Sequence, residues 1–183
     1  MTRIISGIAK GRTIKVPSTG TRPTSDRVRE AVFTSLTSRL GSFSNLKVLD
    51  LYAGSGAFAL ESISRGASGA TCVEKHPDSA QIIKANAKTL GFEVSVKTSD
   101  VTTFLKAAAT QKFDLIFIDP PYDFPNADIE KVLGLLASGG WLAEDAVVVV
   151  ERSARGDAFE WPEPFSQAQE RIYGETLVKT GVC

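Results

Sequence analysis

The sequence is poor in the residues that build metal sites and disulfide frameworks, with two cysteines and one histidine in 183 residues. Cys72 lies in an apolar run and is interpreted as a small core residue, and Cys183 is the last residue. Neither a secreted disulfide framework nor a cysteine zinc cluster is therefore expected. A single histidine, His76, excludes multi-histidine sites, and its place before Pro77 suggests a helix cap. We expect no metal.

Long apolar runs are also missing. No stretch approaches the roughly 20 residues that span a bilayer, and residues 1–16 lack the apolar segment and cleavage site of a signal peptide. Hydrophobic residues make up 43% and charged residues 23% of the chain, an ordinary globular composition. The sequence therefore predicts a cytoplasmic protein without membrane contact, and we expect a monomer.

A net charge of zero conceals an uneven distribution of charge. Residues 1–31 hold seven basic and two acidic side chains, whereas the remainder holds 14 basic and 19 acidic ones. A basic segment on an acidic body favours a polyanionic partner on one face. The alternative is a solvated terminal extension without a partner.

The first 40 residues differ in pattern from the rest. Short strands are predicted over Arg3–Ile8 and Arg12–Val16, followed by a Pro- and Ser-containing linker and a helix that Thr24 or Ser25 caps. Two strands alone are marginally stable, so the hairpin must pack on something. We divide the chain into a basic hairpin and linker over residues 1–23, where we expect the polyanionic partner to bind, and a second domain over residues 24–183.

From residue 46 onward, apolar strands alternate with helices. Strands are predicted over residues 46–52, 69–75, 92–100, 113–119, 146–151 and 171–180, and helices over residues 57–65, 77–90, 101–110 and 127–137. This alternation indicates an α/β fold with a parallel sheet that helices cover on both faces. Ligands of such sheets bind at the carboxyl ends of the strands, where the informative residues of this chain fall.

A glycine-rich turn follows the first of these strands. It runs from Asp50 through Gly54 to Gly56 and matches the G-x-G-x-x-[GA] pattern of dinucleotide sites. The glycines let the backbone approach a ligand without an intervening Cβ. Asp50 would repel a pyrophosphate and attract an ammonium or sulfonium group. The turn therefore favours a ligand that is cationic at this end, such as S-adenosylmethionine.

Two further acids end the next two strands. Glu74 lies 18 residues after Gly56 and can accept both hydroxyls of a ribose. Asp100 ends the third strand and can accept from an adenine amino group. Acids are common at strand ends, but three at successive ends favour one adenosine-sized site.

The fourth strand runs directly into Asp119-Pro120-Pro121-Tyr122. Two prolines remove two N–H donors, so the loop offers carbonyls and a carboxylate beside an aromatic ring. These hydrogen-bond acceptors can bind the N–H groups of an amino group on a planar ring, and the Tyr122 ring can stack on the face of that ring. The alternative is a rigid turn that only ends a strand.

The chain resembles the class I S-adenosylmethionine-dependent amino-methyltransferases in residues 48–67, Glu74, Asp100 and residues 119–122. Residues 3–17, 21–36 and 173–178 resemble the RsmD family more narrowly. The resemblance implies a Rossmann-like, seven-stranded, mostly parallel sheet with helices on both faces and an N-terminal hairpin extension. It also implies methylation of the exocyclic N2 of a guanine, position 966, in bacterial 16S rRNA, as part of a small-subunit particle or an assembly intermediate.

The resemblance also implies residue roles. Asp119, Pro120, Pro121 and Tyr122 would hold the target base. S-adenosylmethionine would be bound by Asp50, Ala53, Gly54, Gly56, Glu74, Lys75, Asp100, Val101 and Thr24. The resemblance places Arg22, Thr24 and Arg27 near the cofactor carboxylate or the RNA. The excess of positive charge in residues 1–31 separately predicts contacts with RNA phosphates, by Arg3, Lys10, Arg12, Arg22, Arg27 and Arg29.

Three alternatives stay open. An adenine-N6 methyltransferase acting on DNA or RNA would use the same Asp119-Pro120-Pro121-Tyr122 loop, although no additional target-recognition domain is evident. A nicotinamide-dependent oxidoreductase would use the same glycine-rich turn, against which Asp50 argues. An RNA-binding module without catalysis is the third alternative.

Overall fold

The computed structural model describes residues 1–17, 25–121, 123–156 and 159–183. The described residues form nine strands and five helices. In chain order they are β1 (Thr2–Arg3), β2 (Thr13–Ile14), α1 (Asp26–Leu40), β3 (Lys47–Leu51), α2 (Ala57–Ser64), β4 (Gly69–Glu74), α3 (Pro77–Leu90), β5 (Val94–Thr98), α4 (Val101–Lys106), β6 (Phe113–Ile118), α5 (Asn126–Ser138), β7 (Leu142–Ser153), β8 (Ser166–Tyr173) and β9 (Thr176–Val182).

Seven strands form one sheet in the order β5-β4-β3-β6-β7-β9-β8. The strands from β5 to β7 are parallel, and β9 lies antiparallel between β7 and β8. Helices α1 and α2 pack on one face of the sheet around Phe33 and Phe117, with Ile83 of α3 in the same cluster. The other face is covered by α5, with Leu105 of α4 in its cluster. The predicted fold class is confirmed.

Local signals in the sequence define the helix ends. Ser25 caps α1 by accepting from the N–H of Val28 at 3.2 Å, which decides between the two predicted caps, and Gly41 follows its last turn. Pro77 occupies the first turn of α3, where its missing N–H costs nothing, and Gly91 ends the helix at a φ of 76°. Among the described residues no helix is long and apolar enough to cross a membrane.

The N-terminal hairpin packs on α2 and α3. Ile4, Ala9 and Ile14 share a buried cluster with three residues of these two helices, namely Leu60, Ala87 and Leu90. Both oxygens of the buried Glu61 accept backbone N–H groups of the hairpin, from Ile5 at 2.7 Å and from Ser6 at 3.0 Å. Residues 1–17 are therefore a third layer on the helices. The functional division at residue 23 stays a prediction.

Three predicted elements need correction. The strand predicted over residues 171–180 is two strands, because Gly174, at a φ of 63°, lies in the turn that joins β8 to β9. The strands of the N-terminal hairpin are only two residues long each, since a wide turn that contains Gly7 and Gly11 separates them. Helix α4 ends at Lys106 rather than Thr110.

Candidate active site

Side chains from three neighbouring strands meet at the carboxyl edge of the sheet. Leu51 of β3 pairs with Val73 of β4 and with Ile118 of β6. The residues that follow these three, Tyr52, Glu74 and Asp119, therefore lie at one level of the edge. The sheet thus brings the predicted ribose-binding acid and the first residue of the predicted base-binding loop to the two sides of the glycine-rich turn.

The glycine-rich turn depends on backbone conformations that favour glycine. Gly54 has a φ of 54° and Gly56 a φ of 78°, both in the left-handed region. A Cβ on Gly56 would also lie 3.0 Å from Cγ2 of Ile83 in α3. Helix α2 starts directly after Gly56, so the turn brings its N-terminus to the carboxyl edge of the sheet.

Glu74 holds the glycine-rich turn in place. It is buried, and its two oxygens accept from the N–H of Gly54 at 2.9 Å and from the N–H of His76 at 2.7 Å. His76 is the cap residue of α3, as expected. A carboxylate oxygen accepts more than one hydrogen bond, so Glu74 retains acceptor capacity for a ligand.

Asp50 lies deeper than the sequence suggests. It is 1% exposed, and its Oδ2 accepts from the N–H of Ala59 in the first turn of α2 at 3.1 Å. Burial raises the pKa of Asp50 well above its usual range, and the nearby charges of Asp119 and Glu74 raise it further. The contact that Asp50 makes in this structure is therefore with the first turn of α2. Its predicted place beside the cofactor stays a prediction.

A buried asparagine connects the turn to the N-terminal hairpin. The Nδ2 of Asn86 in α3 donates to the carbonyl of Ser55 at 3.0 Å and to that of Lys15 at 2.9 Å, and its Oδ1 accepts from the N–H of Lys15 at 2.8 Å. Sequence patterns did not predict a role for Asn86, because one polar residue within an amphipathic helix has no signal of its own.

The remaining predicted cofactor residues differ in burial and contacts. Ala53 is buried and donates its N–H to the carbonyl of Val73 at 3.0 Å. Lys75 is exposed after β4. Asp100 is exposed and caps α4 by accepting from the N–H of Thr103 at 3.2 Å, whereas Val101 packs in the core. Thr24 lies outside the described residues.

The predicted base-binding loop follows β6. Asp119 is half-buried and lies close enough to Asp50 to raise its pKa. Pro120 is buried, and the carbonyl of Pro121 accepts from the N–H of Phe124 at 3.0 Å, which closes a turn. Tyr122 lies outside the described residues.

Tyr52 joins the two loops, a contact that no sequence pattern predicted. Its ring meets that of Phe124 edge to face, with centroids 5.3 Å apart. Burial raises the pKa of its hydroxyl, with the charges of Asp100 and Asp128 adding to the shift. Its φ of 64° is uncommon for an aromatic residue and typical of functional sites.

Arg152, near the end of β7, holds the far end of the base-binding loop. Its Nη2 donates to the carbonyl of Phe124 and lies 3.3 Å from Oδ1 of Asn126. Burial lowers the pKa of this guanidinium, and its Nη1 is buried without a hydrogen-bond partner. No motif in the surrounding sequence marks this residue.

The predicted RNA-binding residues have different surroundings. Arg3, Lys10 and Arg27 are exposed, and Arg3 lies 3.4 Å from Asp26. Arg12 is exposed and donates to the last carbonyls of α3, at Thr89 and Leu90. Arg22 lies outside the described residues.

Arg29 is a correction to the predicted RNA site. It is 1% exposed, and its Nη2 donates to the carbonyl of Arg3 and to Oδ1 of Asp26 at 3.1 Å. Burial lowers its pKa although Asp26 and Glu61 favour its charged form. Arg29 therefore fixes the hairpin to α1 and does not face an external phosphate.

The fold and the carboxyl edge of the sheet define a class I methyltransferase. The defining features are the strand order, the glycine-rich turn after the first parallel strand and, after the fourth, a loop that offers hydrogen-bond acceptors. No group of three potential metal ligands occurs within residues 1–17, 25–121, 123–156 and 159–183.

Comparison with known proteins assigns the family. Residues 2–181 match the family described as Conserved hypothetical protein 95. The chain is 37% identical over 179 residues to "Ribosomal RNA small subunit methyltransferase D" of Escherichia coli K12, with 97% of this chain and 87% of that protein covered. It is 34% identical over 181 residues to "Putative rRNA methyltransferase YlbH" of Bacillus subtilis, with 96% of each chain covered.

A solved structure agrees. The structure titled "Putative methyltransferase yhhF from Escherichia coli" superposes with a TM-score of 0.83 at 34% identity, covering 98% of this chain and 96% of that one. The chain belongs to the Conserved hypothetical protein 95 family, the RsmD family that its motifs resemble.

Proposed function

We propose that the protein transfers a methyl group from S-adenosylmethionine to the exocyclic N2 of a guanine in small-subunit rRNA. The observation that carries the proposal is the placement of Asp119 and Pro120 beside the glycine-rich turn at one level of the sheet edge. The choice of rRNA rests on the similarity to the small-subunit methyltransferase of Escherichia coli. The choice of guanine N2, with position 966 as the expected target, rests on the family resemblance.

The residues of the turn suit a ligand that has a cationic end and a hydroxyl-rich middle. Glu74 has acceptor capacity for the ribose hydroxyls, and Gly54 and Gly56 allow the backbone to approach the ligand. Asp100 and the backbone of Val101 would bind the adenine, with Lys75 beside them. The carboxyl of Asp50 would favour a cationic group at the methionine end of the ligand, because a positive charge nearby stabilises its ionised form.

S-adenosylmethionine supplies an electrophilic methyl group on a sulfonium and leaves as a neutral thioether. The residues of this chain have the task of preparing the amine. Asp119 and the carbonyl of Pro120 would accept the two N–H bonds of the amino group and orient its lone pair. An exocyclic amine is a weak nucleophile, and acceptors on its protons return electron density to nitrogen.

Asp119 would also stabilise the positive charge that forms on the nitrogen as the methyl carbon bonds to it. The methylated nitrogen is then acidic enough to release one proton to Asp119 or to water, so a strong base is unnecessary. The target base would leave its stack, at a cost of a few kcal/mol, to reach this pocket. We propose Tyr122 as the ring on which it stacks.

The proposed partner is 16S rRNA within a small-subunit particle or an assembly intermediate, and the protein would act as a cytoplasmic monomer. Exposed Arg3, Lys10 and Arg27, together with Arg22, would contact RNA phosphates. Arg12 would combine such a contact with its contacts to the end of α3.

The test is the identity of the methylated nucleoside. Purified protein would be incubated with isotopically labelled S-adenosylmethionine and undermethylated 16S rRNA, as free RNA and in 30S particles, before nucleoside mass analysis. We expect label on N2-methylguanosine with wild-type protein and none with Asp119→Ala. Label on N6-methyladenosine would instead assign the chain to the adenine-N6 alternative.

A further inference from the structure

A polar groove lies between helix α1 and the edge strand β8. Its volume is about 570 Å³. Six residues line it, namely Thr34, Ser35, Ser38, Arg39, Gln169 and Arg171. They comprise three hydroxyls, an amide and two guanidinium groups, and no carboxylate.

The strand side of the groove is organised by Gln169. With its amide oriented to satisfy both neighbours, its nitrogen donates to Oγ of Ser35 and its oxygen accepts from Nε and Nη2 of Arg171, both at 2.9 Å. These bonds use one edge of the Arg171 guanidinium, and an arginine has five N–H donors. The side chain is exposed but oriented, which lowers the entropic cost of binding a ligand.

The alternation of β8 removes negative charge from the groove. Arg171 pairs with Val178, and Gln169 pairs with Thr180, whereas Glu170 between them pairs with Lys179. Glu170 therefore lies on the opposite face, where its carboxylate is 3.4 Å from Nζ of Lys179. The exposed Arg39, in the last turn of α1, adds a second positive charge on the helix side.

The register of the sheet places the groove near the reacting edge. Ile118 pairs with Val150, so Asp119 is level with Glu151, which pairs with Val178 and through it with Arg171. Three strand spacings separate Asp119 from Arg171, about 14 Å at the usual distance between strands. A nucleic acid whose base reaches Asp119 would bring its neighbouring phosphates over this part of the surface.

We propose that this groove binds a backbone phosphate of the RNA substrate, a few nucleotides from the target base. The proposal rests on the proposed function for the nature of the polyanion. Two guanidinium groups with hydroxyl donors between them match the charge and the acceptor oxygens of a phosphodiester. The groove would fix the register of the RNA on the enzyme without reading its sequence.

The test compares charge removal at two sites. One variant combines Arg39→Gln with Arg171→Gln. The matched control combines Lys47→Gln with Lys112→Gln, which removes two exposed charges at the opposite, amino-terminal edge of the sheet. Binding of a 16S rRNA fragment is measured from 50 to 300 mM salt, together with S-adenosylmethionine binding and methyl transfer.

The slope of log K against log[salt] flattens by about 0.7 to 0.9 for each phosphate that the protein no longer neutralises. Because the groove is proposed to bind one phosphate, we expect the groove variant to flatten this slope by about 0.7 to 0.9 and to leave S-adenosylmethionine affinity unchanged. The control should keep the wild-type slope. Arg171→Lys, which retains the charge, should lie close to wild type and excludes a folding defect as the cause.

Equal slopes for wild type and the groove variant would overturn the proposal, as would the absence of salt-dependent binding by the wild type. If the wild type binds RNA through the groove but transfers no methyl group to the RNA, the proposed function is wrong and the proposal that the groove binds phosphate is supported. If methyl transfer occurs and the salt slopes of wild type and groove variant are equal, the proposed function is supported and the proposal that the groove binds phosphate is wrong.

Discussion

The two halves of the site are held to different degrees. The glycine-rich turn is fixed from three directions, by Glu74 at Gly54, by Asn86 at Ser55 and by Ile83 against Gly56. The loop after β6 is held by its own turn at Pro121 and by Arg152 at its far end. The cofactor half is thus preformed, whereas the base-binding half depends on an anchor outside its motif. Substitutions in the two halves should therefore have different kinetic effects.

The largest effect is expected in the base-binding half. Asp119→Ala should lower turnover at saturating S-adenosylmethionine by at least about 100-fold, the usual cost of removing a group that stabilises charge in the transition state. Asp119→Asn retains an acceptor oxygen and should lose less. Single-turnover methyl transfer measures both. An Asp119→Ala rate within threefold of wild type would remove this residue from the reaction.

Glu74→Gln should act on the cofactor half. The N–H groups of Gly54 and His76 are bound by different oxygens of Glu74, and an amide keeps only one of these oxygens. Its NH₂ group would therefore oppose one of the two N–H donors. We expect a loss of about 1–3 kcal/mol in S-adenosylmethionine binding, roughly 5- to 150-fold. Calorimetric titration tests this value, with the exposed Glu93→Gln as control, and turnover should largely recover at saturating cofactor. Wild-type affinity in Glu74→Gln would show that the turn does not need this anchor.

Arg152→Lys should sharpen the comparison, because a single ammonium cannot reproduce the contacts to Phe124 and Asn126. Turnover should fall about tenfold while S-adenosylmethionine affinity stays unchanged. The neighbouring Arg155→Lys, whose arginine is exposed and paired with Glu175, is the control and should change neither quantity. An equal loss of cofactor affinity in Arg152→Lys would mean that the two halves are not separable.

The smallest effect concerns stability. Because the folded state raises the pKa of Asp50, it binds that proton more tightly than the unfolded chain does. The stability from Asp50 is therefore lost as the pH rises from the usual range of an aspartic acid through the raised pKa. Asp50→Asn removes this titration.

At pH 8 we expect Asp50→Asn to raise Tm by roughly 2–4 °C, equivalent to about 1 kcal/mol for this chain length, and the difference should close near pH 4. The exposed Asp123→Asn is the control. Affinity for S-adenosylmethionine should fall in Asp50→Asn, because the variant has no carboxyl that can ionise near the cationic end of the ligand. A pH-independent difference in Tm would contradict the assigned cause.

The structure also changes how the basic segment should be tested. Removing residues 1–16 would expose the cluster around Leu60 and Leu90 and would remove Lys15, whose backbone pairs with the side chain of Asn86. Such a truncation therefore disturbs the fold and the glycine-rich turn together with any RNA contact. Neutralising exposed Lys10 and Arg27 separates these effects.

Residue patterns predicted the sheet, its helices and the positions of Glu74, Asp100 and Asp119, because strand period and strand-end acids are local signals. They did not predict the turn at Gly174, since the residues on both sides of it have the pattern of a single strand. They assigned Arg29 to RNA because its burial depends on Arg3 and Asp26, which only the tertiary fold brings together. The roles of Asn86 and Arg152 were not predicted for the same reason, since their partners are distant in sequence.

The separation of the two halves is tested most directly by titrating S-adenosylmethionine into Asp119→Ala without RNA in a calorimeter. A preformed cofactor half predicts one site per chain and a Kd within about threefold of wild type. Loss of binding in Asp119→Ala as large as that in Glu74→Gln would contradict the account, because the loop after β6 would then be part of the cofactor site.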